Sequence, residues 1–318
     1  MASIGVVGLN YWGPNLARNF AALADLRWLC DLDPRHLAAS AARHPDAHTT
    51  TSFADLLADD TLDAVAVATP VPTHYELAKQ ALEAGKHVFV EKPPAMHAAE
   101  MDELVALAAQ RDRVLMPGHL LLYHPGVVKV KQLIDEGELG DVLCVYGNRV
   151  NLGIVRRQEN ALWSLGVHDL SVILHLLDED PELATAQGSW SIHEGVEDVV
   201  FCFLRFPSGK IAHMHLSWLD PHKMRKMTVV GREKMVVFDD MEPERKVTVY
   251  AKRADSSGEI TSGDIHIPKI STAEPLRLEC EYFLELLEGR HDRAKVARDG
   301  ARVVRALEML TNSLAGNG

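Results

Sequence analysis

Residues 1–120 alternate short, continuously apolar runs with stretches whose apolar residues recur at helical spacing. The runs SIGVVG, LRWLCDLD, LDAVAVATP, KHVFVEKP and RVLMPGH are bounded by Gly, Pro and Asp and read as strands. Between them lie NLARNFAALA, RHLAASAARH, SFADLLADD, HYELAKQALEAG and AAEMDELVALAAQR, which read as amphipathic helices. Strands that are apolar throughout are buried on both faces, so helices must cover a parallel sheet above and below. Right-handed crossovers then make this half a doubly wound α/β sheet.

The pattern changes after His119. VVKVKQLIDEGELG reads as a helix closed by glycines. The runs that follow are longer and more alternating: DVLCVYGNRVNLG, EDVVFCFLRFPSG, KIAHMHLSWLD, KMTVVG, EKMVVFDD and KVTVYAK. They predict a largely antiparallel sheet, interrupted by the helix HDLSVILHLLDE and followed by LRLECEYFLELLEG and ARVVRALEMLTNSL. Arg253–Gly263, with Ser256, Ser257 and Gly258, reads as a mobile loop or hairpin tip. Single cores stop growing near ~250–300 residues, so 318 residues suit two domains, divided as 1–120 and 121–318.

A formal charge of −12 argues against nucleic acid or an anionic membrane as a partner. The longest apolar runs fall well short of the ~20 residues of a membrane span. MASIGVVGLN carries no basic segment and enters a strand directly, so no secretory signal is expected and the location expected is the cytoplasm. Cys30, Cys144, Cys202 and Cys280 form no C-x-x-C pair, and His213 and His215 have no carboxylate or cysteine at ligand spacing. No metal site is expected.

The first strand runs into GLNYWGPNLARNF. A dinucleotide loop needs a tight turn, close backbone approach to the pyrophosphate, and a helix N-terminus aimed at the anion. Gly8 can supply the turn and Gly13 the close strand–helix packing, while Pro14 suits the first helical turn. Asn10 stands where a second glycine is usual, and Asn tolerates positive φ. Asp31 ends the second strand, where a carboxylate accepts from the adenosine ribose hydroxyls and repels a 2′-phosphate. The alternative for Asp31 is a turn cap. With Leu32, Asp33 and Pro34 next in the chain and no adjacent arginine, the loop reads as NAD-preferring.

Three further segments carry chemistry. In ATPVPTH, at the carboxyl end of the strand LDAVAVATP, Thr69, Pro70 and His74 are nicotinamide-side contacts or simply shape a loop and cap a helix. In VEKPP, Lys92 stands at a strand's carboxyl end ahead of two prolines, placed to steady an alkoxide. In WSLGVHDLSVILHLL, His168 suits proton transfer with a hydroxyl, or forms a helix cap with Asp169.

Together GLNYWGPNLARNF, CDLDP, ATPVPTH, VEKP and GVHDLSVILHLL resemble the glucose–fructose oxidoreductase, inositol dehydrogenase and rhizopine-catabolism family (Gfo/Idh/MocA). The resemblance spans nearly the whole chain. It implies an N-terminal Rossmann domain, a C-terminal α+β domain with an open-faced sheet for substrate and oligomer contacts, and hydride transfer between NAD and a sugar or polyol. It implies Lys92 and His168 as catalytic residues, a cis Lys92–Pro93 peptide, and a homodimer or homotetramer. Asn10, Tyr11, Trp12, Glu91 and Trp163 join the cofactor set on the same grounds.

Within that family YWGPNL, NRVNLG, NALW and SWLDPHKMRKMTVVG look most like enzymes of nucleotide-linked sugars, acting at C3. Asn148, Arg149, Asn151 and Arg156 are then substrate contacts, since guanidinium forks suit a diphosphate or carboxylate; otherwise they are strand-surface polarity. Two other readings keep the fold: an NAD-dependent glycosidase or eliminating enzyme, and a non-catalytic NAD-binding sensor. One position departs from the pattern. Ser164 stands four residues before His168, where the family often has aspartate, and serine holds no charge beside the histidine.

Overall fold

The computed structural model describes residues 1–157, 159–254 and 257–316. They divide into two units, Met1–Leu120 with Glu274–Val304, and Leu121–Ala273 with Arg305 onward.

In the first unit β1 (Ser3–Val7), β2 (Asp25–Cys30), β3 (His48–Thr50), β4 (Ala64–Val67), β5 (His87–Glu91) and β6 (Leu115–Gly118) form one sheet in the order β3-β2-β1-β4-β5-β6. Every pairing in it is parallel. The crossovers are α1 (Gly13–Leu23), α2 (Pro34–Ala41), α3 (Phe53–Leu57), α4 (His74–Glu83) and α5 (Ala98–Arg111). All four β4 residues are buried, as expected for a strand covered on both sides. The order reverses between β1 and β4, which opens a crevice beyond their carboxyl ends. Only β3 was not legible as a strand, because HTT is a short, exposed edge with no apolar signal.

The contiguous division at residue 120 needs one correction. The segment Glu274–Val304 returns to the first unit. It holds α8 (Pro275–Leu287) and the first part of α9 (Arg293–Ala315). Phe283 on α8 meets Phe20 and Phe89 edge-on, with ring centroids 6.0 and 5.7 Å apart. Edge-to-face packing of this kind adds about 0.5–1.5 kcal/mol per pair beyond burial.

The second unit begins with α6 (Pro125–Asp135). Its sheet comprises β7 (Val142–Val150), β8 (Leu183–Ser189), β9 (Val199–Arg205), β10 (Ile211–Ser217), β11 (Met224–Gly231), β12 (Met235–Asp239), β13 (Val247–Ala254) and β14 (Ile260–His266). The order is β14-β13-β12-β11-β7-β10-β9-β8. The β7–β10 pair is parallel and the remaining pairs are antiparallel. Burial alternates along β9, where Val200, Cys202 and Leu204 are buried while Phe201, Phe203 and Arg205 are exposed. One face therefore meets a core and the other stays open. His213 stacks on Tyr146 and His215 on Phe201 across that open face. The segment 253–263 is a hairpin whose two strands take most of it; Asp255 and Ser256 lie outside the described residues. β14 escaped the sequence reading because all seven of its residues are exposed.

Candidate active site

The loop after β1 is built by backbone contacts. Gly8 has φ 87°, and a Cβ there would lie 2.7 Å from the Ala68 carbonyl and the Thr69 nitrogen. A Cβ at Gly13 would lie 1.7 Å from the Gly8 oxygen. Both positions exclude any side chain. Asn10 is not in the positive-φ region; among the described non-glycine residues only Asp112 and Asp178 are. The missing second glycine is thus tolerated because the turn asks nothing unusual of Asn10, which corrects the conformational reason expected for it. Asn10 and Tyr11 are exposed and Trp12 is half-buried. Trp12 precedes α1 without a side-chain cap, and the first turn of α1 carries no acidic residue. That leaves the helix dipole and its first amides unneutralised, as an anion site requires.

Asp31 is tied to this loop. Its Oδ2 accepts from the Leu9 amide at 2.6 Å and its Oδ1 from the Asp33 amide at 2.8 Å. The first bond ties the carboxylate to the loop after β1, and the second caps the turn that follows β2, so Asp31 does both. Excluded Cβ positions, an uncapped helix start and a fixed carboxylate together fit a dinucleotide: the loop and α1 would hold its pyrophosphate, and Asp31 its adenosine ribose.

Beyond β4, Thr69 and Pro70 form the loop pressed against Gly8. His74 is 1% exposed and spans two loops. Its Nδ1 lies 2.8 Å from the Pro93 oxygen and its Nε2 2.7 Å from the Thr69 oxygen. Burial, aided by the Lys92 charge, holds the imidazole below its ordinary pKa. A neutral imidazole has one N–H, so His74 donates to one of these carbonyls and packs against the other, between the ATPVPTH and VEKPP loops. Its place between the two loops accords with the loop-shaping alternative for this segment.

Glu91 and Lys92 follow at the carboxyl end of β5, and the Lys92–Pro93 peptide is cis. Burial pushes the Glu91 carboxyl up to about 7, opposed by the Lys92 charge and by hydrogen bonds from the Lys92 amide and Trp12. Sequence reasoning missed a second acid here. Glu279 on α8 is fully buried, and neither carboxylate oxygen has a hydrogen-bond partner among the described residues. Burial, and then the charge of Glu91, raise its pKa well above 4.5. Both folded-state pKa values lie above the unfolded ones. The associated stability is therefore complete below pH 4.5 and is lost as pH rises through about 7 and beyond. Glu279→Leu is expected to flatten that slope and to stabilise the protein at pH 8 by about 1–3 kcal/mol. Urea melts across the pH range check it; a variant less stable than wild type at pH 8 would refute the assignment.

In the second unit His168 is half-buried in the first turn of α7 (Val167–Leu177), after a π-helical turn over Leu162–Gly166. Ser164 is buried within that turn. π-Turns inside helices recur at functional sites because they re-aim the side chains after them. Asp169 is engaged by Arg149. Its Oδ1 receives the Arg149 Nε at 2.8 Å and a terminal guanidinium nitrogen at 2.7 Å, and both side chains are buried.

That pair corrects the substrate set. Arg149 is a buried structural ion, not a surface fork for a diphosphate. Strand alternation sends Asn148 to the opposite face, beside His215 and Lys226 in register. Adjacent polar letters in NRVN thus belong to two faces. Asn151 follows β7, its amide donating to the Ser217 oxygen at 3.0 Å, and exposed Arg156 pairs with Glu159 at 2.6 Å. Trp163 is also a correction: it is 6% exposed and its indole N–H donates to Thr311 Oγ1 at 3.0 Å, so it packs the second unit instead of offering itself to a cofactor. The first unit therefore gathers Gly8, Gly13, Asp31, Thr69, Glu91 and Lys92 around the carboxyl ends of its strands, and the second carries His168, Asn148, Asn151 and Arg156.

Comparison with known proteins agrees with this geometry. Residues 2–119 match the family model described as the oxidoreductase family, NAD-binding Rossmann fold, and residues 127–237 match the GFO/IDH/MocA C-terminal domain. The chain is 32% identical over 228 residues to 2,7-anhydro-N-acetylneuraminate hydratase of Escherichia coli (strain K12), covering 67% of this chain and 60% of that one. The chain thus spans about three fifths of the length of the curated relatives it first matches. It is 25% identical to UDP-N-acetylglucosamine 3-dehydrogenase of Acidithiobacillus ferrooxidans, covering 89% of this chain and 88% of that one. A solved structure of GenD2 from gentamicin A biosynthesis, in complex with NAD, superposes with a TM-score of 0.83 at 28% identity, covering 100% of this chain and 95% of that one. No helix among the described residues is long and apolar enough to cross a membrane. A Rossmann unit with a side-chain-excluding loop, followed by an open-faced sheet and matched along both parts, shows that the chain belongs to the Gfo/Idh/MocA family of NAD-binding oxidoreductases.

Proposed function

We propose that the protein is an NAD-dependent oxidoreductase acting on a secondary hydroxyl or ketone of a nucleotide-linked sugar, at C3. The observation that carries this reading is the union of the Asp31-fixed cofactor loop with Lys92 at the end of β5. When bound, NAD supplies the hydride acceptor. Lys92 orients the reacting hydroxyl and steadies the alkoxide as the carbinol hydrogen leaves, and His168 takes the hydroxyl proton. In the reductive direction the two roles reverse. The similarity to UDP-N-acetylglucosamine 3-dehydrogenase supports the substrate class.

Asp31 sets the cofactor choice in this reading, because its carboxylate would meet a 2′-phosphate as a like charge. Asp31→Ser is expected to shift the NADP-to-NAD affinity ratio by about tenfold or more toward NADP. Calorimetric titration of both cofactors checks this; wild-type protein that prefers NADPH to NADH would overturn it. Exposed Phe201 and Phe203 on the open sheet face support a homodimer or homotetramer, and the four free cysteines support a cytoplasmic location.

A second reading, favoured by the hydratase relative, retains the cofactor and releases no net NADH. Thermal melts with NAD and a panel of nucleotide sugars test the main reading. A nucleotide sugar should raise the melting temperature beyond NAD alone. A panel in which only anhydro or free acidic sugars do so would favour the second.

A further inference from the structure

The chain turns from β2 into α2 within the three residues Asp31, Leu32 and Asp33. Asp33 caps the helix, its Oδ1 accepting from the Arg35 amide at 2.8 Å. The same carboxylate takes the Arg35 guanidinium, with Nη2 2.6 Å from Oδ2 and Nε 3.1 Å from Oδ1. The hydrogen bonds from Arg35 hold the Asp33 carboxyl well below the usual carboxylate range and keep the Arg35 charge on its own turn. His36 comes next in the first turn of α2, and its Nδ1 lies 3.5 Å from the Asp31 Oδ1. The imidazole is 33% exposed and the Asp31 side chain 12%, so both reach solvent where the adenosine ribose is assigned.

A hydroxyl accepted by Oδ1 stands ~2.8 Å from it, and so lies no farther than about 6 Å from the His36 Nδ1. A group carried on that hydroxyl falls in the field of the imidazole. NADP differs from NAD by a phosphate on the adenosine ribose 2′-oxygen. A neutral imidazole leaves Asp31 to meet that phosphate as a like charge. An imidazolium offsets the aspartate and offers the phosphate a charged donor. Histidine is the side chain whose charge changes between about pH 5 and 8. Around His36 stand Asp31 after β2, and Asp33 and Arg35 on its own turn. From β3, the Thr50 oxygen accepts from the Asp31 amide at 3.4 Å, and the Thr50 hydroxyl donates to Asp55 on α3 at 2.6 Å. Burial pushes the Cys30 thiol up to about 11, so it adds no charge. The aspartates favour the imidazolium, while Arg35 and the positive end of the α2 dipole oppose it.

We propose that His36 is a second specificity-determining residue for the cofactor, and that it narrows the preference for NAD over NADP when it becomes charged. The preference is then not a constant of the protein. Asp31 sets its direction, and His36 sets how far it falls in acid. The proposal rests on the reading of Asp31 as the ribose carboxylate and not on the sugar chemistry.

The test is calorimetric titration of the full chain with NAD and with NADP at about pH 5.5 and about pH 8. A phosphate monoester itself titrates near pH ~6, equally for every variant, so the comparison between proteins isolates the side chain. Between the two pH values wild type should lose about fivefold more of its NAD preference than His36→Gln, whose side chain is neutral at both. His36→Arg is charged at both, so at pH 8 its NAD preference should already stand about fivefold below that of wild type. A pH dependence equal in wild type and His36→Gln, or an unchanged preference in His36→Arg at pH 8, would overturn the proposal. Wild type that prefers NADP at pH 8 would instead overturn the assignment of Asp31.

Discussion

Lys92→Ala is expected to lower kcat by about 10²–10³-fold or more while NAD affinity stays within a few-fold. The magnitude is that of removing one preorganised donor from a developing oxyanion. The asymmetry follows from where the side chain acts. Lys92 stands at the carboxyl end of β5, apart from the Gly8 and Gly13 turn that would hold the pyrophosphate. Its contribution is felt most when charge develops on the sugar oxygen. Steady-state kinetics with calorimetric cofactor titration check this. A variant turning over near the wild-type rate would remove Lys92 from the reaction.

Arg149→Met should have the largest effect on stability, about 3–5 kcal/mol, because it leaves the buried Asp169 carboxylate without its counter-ion. For a unit of this size that corresponds to a fall in melting temperature on the order of 10 °C. The double variant Arg149→Met with Asp169→Leu should recover most of the loss, since the desolvation cost then disappears with both charges. Denaturant melts of the three variants measure it. A single variant as stable as wild type would restore Arg149 to the surface and to the substrate.

The Rossmann half was legible because its strands are buried on both faces, and two-sided burial writes continuous apolar runs into the sequence. The loop was legible for a related reason: a glycine at φ 87°, or one whose added Cβ would fall 1.7 Å from a backbone oxygen, has no substitute. What was not legible depends on distant partners. NRVN reads as a polar cluster, and only pairing with α7 shows that Arg149 turns inward to Asp169 while Asn148 turns outward. His74 read equally as a ligand contact or a helix cap, and neither reading shows that Thr69 and Pro93, from two separate loops, lie at its two nitrogens. Glu279 gave no signal, because an isolated Glu carries no pattern, and burial without a partner is a property of the fold alone. The return of α8 to the first unit was hidden for the same reason, since an amphipathic helix does not state which core it covers.

The central claim is hydride transfer between a sugar carbinol carbon and NAD, and isotope transfer tests it most directly. The protein is incubated with NAD and a panel of nucleotide sugars carrying deuterium at C3, headed by UDP-N-acetylglucosamine, and the reduced cofactor is analysed by mass spectrometry. The account predicts deuterium in NADH from at least one member of the panel, and its loss in Lys92→Ala. Deuterium that stays on every sugar, with no reduced cofactor formed, would contradict it.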